Sequence, residues 1–362
     1  MPTFDIYKGK RIFLTGHTGF KGSWLNLWLK SLGAEVYGYA LAPNTNPSHF
    51  ELLGGNKEFQ GVFADIRDRE NLKQSLRSFN PDIIFHLAAQ PLVRESYKNP
   101  VATFESNVIG TLNVLDCARE LESLKAIVVI TTDKVYENKE WIWGYRENDA
   151  LGGYDPYSAS KACAEIVTDS MRNSFFNINE FGKSHQVLIA TARAGNVIGG
   201  GDWSEDRLIP DIIKAVCANK SVKIRNPKST RPWQHVLEPL RGYLMLGEKL
   251  LEGKKEFATA FNFGPNLQDN LRVEEILKIT KNLWDKVDYV LECDSNAPHE
   301  AGLLMLDVAK AQKLLNWEPV MNSLESIKYT ISWYREFYEN RQIVSQEQLV
   351  LFCNLLNLRK YK

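Results

Sequence analysis

At 362 residues the chain is long enough to bury one large core or two, and its 44 basic and 44 acidic side chains cancel. That balance argues against nucleic acid or an acidic membrane surface as a partner. Apolar and charged fractions of 44% and 24% are those of an ordinary globular protein, and no uncharged apolar run reaches the roughly 18 residues needed to span a bilayer. Cys117, Cys163, Cys217, Cys293 and Cys353 are scattered, without C-x-x-C or metal-ligand spacing. Reduced thiols and no metal centre are expected. Met1 to Lys10 lacks the apolar stretch of a signal peptide, so a cytoplasmic location is expected.

In chain order, Arg11 to Thr15 reads as a short apolar strand. Gly16-His17-Thr18-Gly19-Phe20-Lys21-Gly22 follows, and then Ser23 to Leu32 with Trp24, Leu25, Leu27, Trp28, Leu29 and Leu32 at helical spacing. Strand, glycine turn and helix together form the setting for a dinucleotide pyrophosphate at a helix N-terminus. The first Gly allows the tight turn, the second admits the phosphates, and the third lets helix and strand pack closely. Gly16, His17, Gly19, Phe20, Lys21 and Gly22 are therefore candidate cofactor residues. Glu35 to Ala40 is a second strand, and Val62 to Ala64 enters a third that ends at Asp65. Arg69 to Phe79 is helical and stops before Asn80-Pro81, where proline disfavours continuation. Ile83 to Leu87 and Ala126 to Ile130 are buried strands on either side of one long helix, Pro100 to Leu121. A helix from Tyr157 to about Phe175 and a sixth strand, Val187 to Ala192, complete the alternation. The pattern predicts an α/β fold: a doubly wound, Rossmann-like parallel sheet with ligands at the carboxyl ends of its strands.

Two further segments fall at such ends. Thr131-Thr132-Asp133-Lys134 closes the fifth strand, and Tyr157-Ser158-Ala159-Ser160-Lys161 opens the next helix. Tyr157 and Lys161, four apart, share a helix face, so the ammonium can sit beside the phenol. A free phenol has a pKa of about 10. A neighbouring cation lowers it and makes a general base for a sugar hydroxyl. Thr132 can offer its hydroxyl to the same oxygen. On the cofactor side, Val36 to Ala42 ends the second strand without an acid, and no Arg or Lys lies between Glu35 and Lys57 to meet a 2′-phosphate. The missing cation favours NAD over NADP, although Lys21 and His17 could serve either.

Beyond Arg193 glycines and prolines cluster (Gly195, Gly199, Gly200, Gly201, Pro210, Pro227, Pro232). This predicts a division into residues 1–193, which bind the dinucleotide, and 194–362, a smaller mixed α/β lobe that builds a substrate pocket. Segments near Glu238 to Leu251 and Ala260 to Gly264 would return to the sheet domain. Arg207 and Arg231 are candidate pyrophosphate partners, since guanidinium binds phosphate bidentately. Gln342 to Lys362 reads as an amphipathic helix with a basic end, for packing or dimer contact.

Together these residues resemble the extended short-chain dehydrogenases/reductases that act on nucleotide sugars, over nearly the whole chain. Gly-His-Thr-Gly-Phe-Lys-Gly, Thr-Thr-Asp-Lys-Val-Tyr, Arg231-Pro232-Trp233-Gln234-His235-Val236, Pro298-His299-Glu300-Ala301 and Leu306-Asp307 are most similar to the CDP-glucose 4,6-dehydratases. The resemblance implies NAD as cofactor, with Asp65-Ile66 at the adenine, Leu87, Ala88 and Ala89 beside the dinucleotide, and Asn107 in the following helix. It implies CDP-glucose as substrate, near Gln90, Arg193, Asn196, Arg207, Arg231, His235 and Glu300. Such enzymes oxidise C4, eliminate water across C5 and C6, and return the hydride to C6. Tyr157 would deprotonate the C4 hydroxyl, Lys161 would hold the phenolate and the ribose, and Thr132 would steady the oxyanion. Asp133 would protonate the departing C6 oxygen if burial raises its pKa. The resemblance further implies a homodimer or homotetramer built on the helices at Pro100 to Leu121 and Tyr157 to Phe175. The product would serve deoxysugar synthesis for surface polysaccharide such as O-antigen.

One position departs from the commoner Thr-Asp-Glu pattern of dehydratases. Lys134 stands where a glutamate base is expected, and the CDP-glucose members carry lysine there. Either a depressed pKa makes it the C5 base, or it stabilises the enolate while another group takes the proton. A nucleotide-sugar 4-epimerase, or a dehydratase of another nucleoside-diphosphate hexose, is the alternative enzyme. A binding protein without turnover is a third reading, opposed by the intact Thr132, Tyr157 and Lys161.

Overall fold

Ile83 to Phe85 and Ala126 to Ile130 are apolar at every position, a pattern that only a strand covered on both faces can bury. In the computed structural model, which describes residues 4–224, 226–227, 229–266, 269, 271–291 and 303–359, both are central strands. The sheet contains β1 (Arg11–Thr15), β2 (Glu35–Ala40), β3 (Gly61–Phe63), β4 (Ile83–His86), β5 (Ala126–Ile130), β6 (Leu188–Ala194) and β7 (Ala260–Phe263). Its order is β7-β6-β5-β4-β1-β2-β3, and every pairing is parallel. The doubly wound α/β fold is therefore present, and its direction of winding reverses between β1 and β4. Ligands of such sheets bind outside the strand ends at that reversal.

Alternate side chains supply two cores. Ile12, Leu14, Ile83, Phe85 and Val128 pack on one face with Trp24 and Trp28 of α1 (Phe20–Ser31) and with Leu240 and Leu244 of a later helix, Leu237–Leu251. Phe13, Ile84, Ile127 and Val129 face the other side, against Leu72 and Leu76 of α2 (Arg69–Phe79) and Val114 of α3 (Gly110–Ala118). α2 shows how locally the chain is instructed. Asp68 caps it by accepting from the Asn71 N–H at 3.1 Å, and Asn80 closes it in the left-handed conformation at φ 52°.

The stretch from Pro100 to Leu121 is not the single helix its spacing predicts. A helix at Pro100–Phe104 widens into a π-turn over Glu105–Ile109 before α3, which ends at Ala118. The cause is Asn107, whose side chain turns inward to bond the backbone of Gln90 and the Ser160 hydroxyl. A π-turn of this kind often marks a functional position.

Beyond β6 the chain makes small two-stranded pairings, Val197–Ile198 with Gln234–His235, Thr230–Arg231 with Leu271–Arg272, and Val222–Ile224 with Tyr289–Leu291. Between them it re-enters the main sheet through β7, which pairs with β6 from Ala260↔Thr191 to Phe263↔Ala194. The C-terminal helix, Ser345–Arg359, lays Leu349, Phe352 and Leu356 inward, with Phe352 edge-on to Trp28 at 5.8 Å.

Candidate active site

The glycine turn is shaped by steric necessity at two of its three glycines. Gly16 has φ +76°, and a Cβ there would lie 2.7 Å from the Ala88 nitrogen. A Cβ on Gly22 would stand 2.0 Å from the Gly16 carbonyl oxygen. Gly19 is different: its Cβ would meet only the Gly16 oxygen, at 3.5 Å, so no protein neighbour demands glycine there. Gly19 also caps α1 without a side-chain hydrogen bond, which leaves the first N–H groups of that helix open toward the cleft. A cradle shaped in this way fits a pyrophosphate.

The strand end opposite is locked by a buried relay. Thr15 Oγ1 bonds His86 Nδ1 at 2.7 Å, His86 Nε2 bonds Thr111 Oγ1 at 2.9 Å, and the N–H groups of Leu87 and Ala88 donate to Thr15 Oγ1 at 3.1 Å. Burial, and then the Lys161 charge, push His86 down to about 3, so it is a neutral strut.

The catalytic candidates are gathered at the ends of β5 and of the helix α4 (Pro156–Phe175). Asp155 starts α4: its Oδ1 accepts from the Ser158 N–H at 2.9 Å, and Pro156 fills the first turn. That cap sets Tyr157 in the first turn, facing Thr132. Thr132 Oγ1 donates to Asp133 Oδ1 at 3.0 Å. Asp133 Oδ2 is buried without a hydrogen-bond partner among the described residues. Burial drives the Asp133 carboxyl upward, against the opposing charges of Lys134, Arg231 and Lys21 and the Thr132 hydrogen bond.

The expected charge coupling within Tyr157–Lys161 takes another form. Lys161 Nζ donates to the Ile130 carbonyl at 3.1 Å, and burial pulls its pKa down to about 8. Burial pushes the Tyr157 phenol up to about 12, opposed by the Thr132 hydrogen bond and by the charge of Arg207. The cation that favours the phenolate is thus the arginine across the cleft, because the lysine is turned toward the strand end.

One cleft of about 1080 Å³ collects most of the residues singled out in the sequence. Gly16, Gly19, Phe20, Lys21, Gly22, Asp65, Ile66, Leu87, Ala88 and Ala89 line one part. Thr132, Asp133, Lys134, Tyr157 and Lys161 lie at its centre, and Asn196, Arg207, Arg231 and Trp233 line the other part. Ala40, Leu41, Ala42 and Asn44 form the wall at the end of β2, where neither acid nor cation stands.

Five expected residues lie elsewhere. Arg193 is sealed in the core, outside the cleft lining: its guanidinium bonds both Glu165 oxygens at 2.9 Å, the Tyr136 hydroxyl at 2.8 Å and the Glu147 carbonyl at 3.0 Å, which commits four of its five N–H donors within the protein. His235 is fully buried between Trp24 and Tyr329, and burial pushes it down to about 3. His17 is folded under β2, with its ring 2.3 Å from where a Gly38 Cβ would be and edge-on to Phe50. Gln90 spends its amide on Leu92 and Thr103, and Asn107 supports the Gln90 backbone instead of facing the cleft. Glu300 lies outside the described residues. Asp155, Asp202 (2.8 Å from Arg207) and Asp211 went unnoticed in the sequence. Only Asp155 carried a signal, its place before Pro156.

The parallel sheet, the glycine cradle and the buried Thr–Tyr–Lys set define an extended short-chain dehydrogenase/reductase. The chain belongs to the GDP-mannose 4,6 dehydratase family, whose sequence profile matches residues 13–330. It is 48% identical over 341 residues to a CDP-glucose 4,6-dehydratase of Salmonella typhimurium, covering 94% of each chain. Among solved structures, an epimerase of Methanothermobacter thermautotrophicus matches with a TM-score of 0.80 at 25% identity, over 94% of this chain and 96% of that one. A dTDP-glucose 4,6-dehydratase of Streptomyces venezuelae, solved with NAD and TYD bound, shares the fold with a TM-score of 0.74 at 23% identity, over 90% of this chain and 97% of that one. No helix among the described residues is long and apolar enough to cross a membrane.

Proposed function

We propose that this enzyme removes water from CDP-glucose to give CDP-4-dehydro-6-deoxyglucose, with NAD held across β1 and β4. The observation that carries the reading is Asp133, a buried carboxyl with raised pKa and an unpartnered oxygen in the cleft beside Tyr157. A 4-epimerase has no use for such a proton donor. The choice of cytidine follows the 48% identical relative. NAD is favoured because no cation borders the cleft at the end of β2.

Bound NAD supplies the oxidant at C4 and the reductant at C6. The chain's own groups do the rest. Gly16, Gly19, Gly22 and the N-terminus of α1 hold the pyrophosphate, and Asp65 and Ile66 border the adenine. Tyr157 takes the C4 hydroxyl proton, and Thr132 and Arg207 stabilise the phenolate that accepts it. Asp133, whose carboxyl burial pushes upward, gives its proton to the C6 oxygen as the C–O bond breaks. Lys134, on the same turn, lends positive charge to the enolate. Arg207, Arg231 and Asn196 hold the sugar-nucleotide phosphates, from a lobe that begins near residue 194 and lends α/β elements back to the sheet domain.

Tyr97, Val101, Ile109 and Ile166 are exposed apolar side chains on the helical stretch before α3 and on α4. A second copy would cover them in a homodimer or homotetramer. A cytoplasmic setting, feeding deoxysugars to surface polysaccharide, completes the reading. Its test is mass spectrometry of products from CDP-, dTDP-, UDP- and GDP-hexoses with added NAD. Loss of one water from CDP-glucose supports it; conversion to CDP-galactose without mass change replaces it with an epimerase.

A further inference from the structure

Arg207 and Tyr157 meet from opposite sides of the cleft, so something must fix the distance between those sides. We infer that Arg94 is a positioning residue for the oxidation at C4: its ion pair with Asp206 ties the turn that carries Arg207 to the sheet side, where Tyr157 stands. The inference rests on the reading above for that first step alone, which a dehydratase and a 4-epimerase share.

Arg94 belongs to the helix Val93–Lys98, which follows β4, and lines the cleft. Its guanidinium lies 3.3 Å from Asp206 Oδ1. Asp206 immediately precedes Arg207, the N-cap of the helix Leu208–Cys217. The other bonds of this turn run to its own side. The Arg207 guanidinium donates to Asp202 at 2.8 Å, and the Asp202 N–H donates to the Tyr334 hydroxyl at 3.0 Å. Trp203 Nε1 donates to the Tyr338 hydroxyl at 2.9 Å. Among the described residues, Arg94–Asp206 is the ion pair that ties residues 202–207 to the sheet side.

Backbone and charge both mark the spot. Asp206 holds φ +56°, a left-handed conformation that residues with a Cβ seldom adopt. Strain of this kind persists where the surroundings hold it, and it gathers at functional sites. Glu205, Asp206 and Asp211 all line this wall of the cleft. Burial pushes Asp211 up to about 6; Lys214 and Arg94 oppose the push, and Asp206 and Glu205 add to it. Three acids on one short segment repel one another, and Arg94 is the cation that the facing side supplies. The paired side chains are 24% and 36% exposed. An ion pair so placed contributes little to folding, so its removal separates positioning from stability. The charges acting on the Tyr157 phenol are Arg207, which favours the phenolate, and Asp133 and Asp155, which oppose it. Tyr243, on the helix Leu237–Leu251, interacts with it as well. Arg94 acts through Arg207.

The test is kcat across pH, at saturating CDP-glucose and NAD, for R94Q, D206N and the double variant. D206N keeps a side chain that tolerates the left-handed conformation. Each single variant should melt as the wild type does. Each should move the rising limb about one pH unit to the alkaline side, slowing turnover near neutral pH about tenfold. The double variant should be no slower than the slower single one, since either change breaks the same tie. A limb unmoved in either single variant, or losses that multiply in the double, would overturn the inference. So would an R94Q that raises KM with kcat intact while D206N matches the wild type, which would make Arg94 a substrate ligand. Products are scored separately. An epimer in place of a 4-keto-6-deoxy sugar removes the dehydratase reading and leaves the limb to be read, because C4 oxidation opens both reactions.

Discussion

The Thr132 hydroxyl donates to one oxygen of Asp133 at 3.0 Å and leaves the other buried without a hydrogen-bond partner among the described residues. A carboxyl held in this way is anchored at one end and available at the other. The same hydroxyl opposes the upward push that burial gives the Tyr157 phenol, so the base for C4 and the acid for C6 share one neighbour between them.

Asp133→Asn keeps the shape and removes the proton. Product formation should fall by about 100- to 1,000-fold while C4 oxidation continues, so the absorbance of reduced nicotinamide should build up after mixing with CDP-glucose. Absence of that build-up would take the acid role from Asp133.

Tyr157→Phe should nearly abolish turnover with an unchanged melting curve. The pH profile carries a finer expectation. Only the phenolate accepts the C4 proton, and burial holds the phenol near 12, so C4 oxidation should rise with pH on the alkaline side of neutrality. Arg207 favours the phenolate. Arg207→Gln should therefore displace that rising limb to higher pH, measured as kcat at saturating substrate. An unmoved limb would mean that Arg207 acts on the phosphates alone.

The glycines separate folding from binding. Gly22→Ala places a methyl group 2.0 Å from a carbonyl oxygen, against backbone that cannot yield, so it should lower the melting temperature sharply. Gly19→Ala meets nothing in the protein closer than 3.5 Å. It should leave thermal stability unchanged and weaken NAD affinity, read by calorimetric titration.

Glu165 tests the core behind the site. Its carboxylate accepts from Thr131 at 2.5 Å, from Thr191 at 2.7 Å and twice from Arg193. Burial opposes its charge, but Arg193 and the two threonines outweigh that and hold the carboxyl below its usual range. Glu165→Gln strands the buried guanidinium and should cost about 3–5 kcal/mol in denaturant unfolding. In the wild type this contribution is present above the unfolded carboxyl pKa, about 4.3, and fades as pH falls below it.

The sheet and the glycine turn were legible because β-branched runs and glycine spacing act locally. Strands such as Arg11–Thr15 and Ala126–Ile130, and the helix Arg69–Phe79, have the bounds that their residues suggest. The break at Asn107 was not legible, since it depends on partners at Gln90 and Ser160, distant in sequence. Arg193 shows the same limit in the site: an arginine at a strand end looks like a substrate ligand until Glu165, on another element, is seen to claim it. Asp211, which burial pushes up to about 6 at the cleft wall, had no sequence signal, because burial in the cleft wall is a property of the fold.

Dehydration with internal return of hydrogen is tested most directly with CDP-glucose carrying deuterium at C4. After a single incubation with the enzyme and NAD, product NMR should find the deuterium on C6 of a 4-keto-6-deoxy sugar. Deuterium still on C4 of a hexose, whether glucose or galactose in configuration, would contradict it.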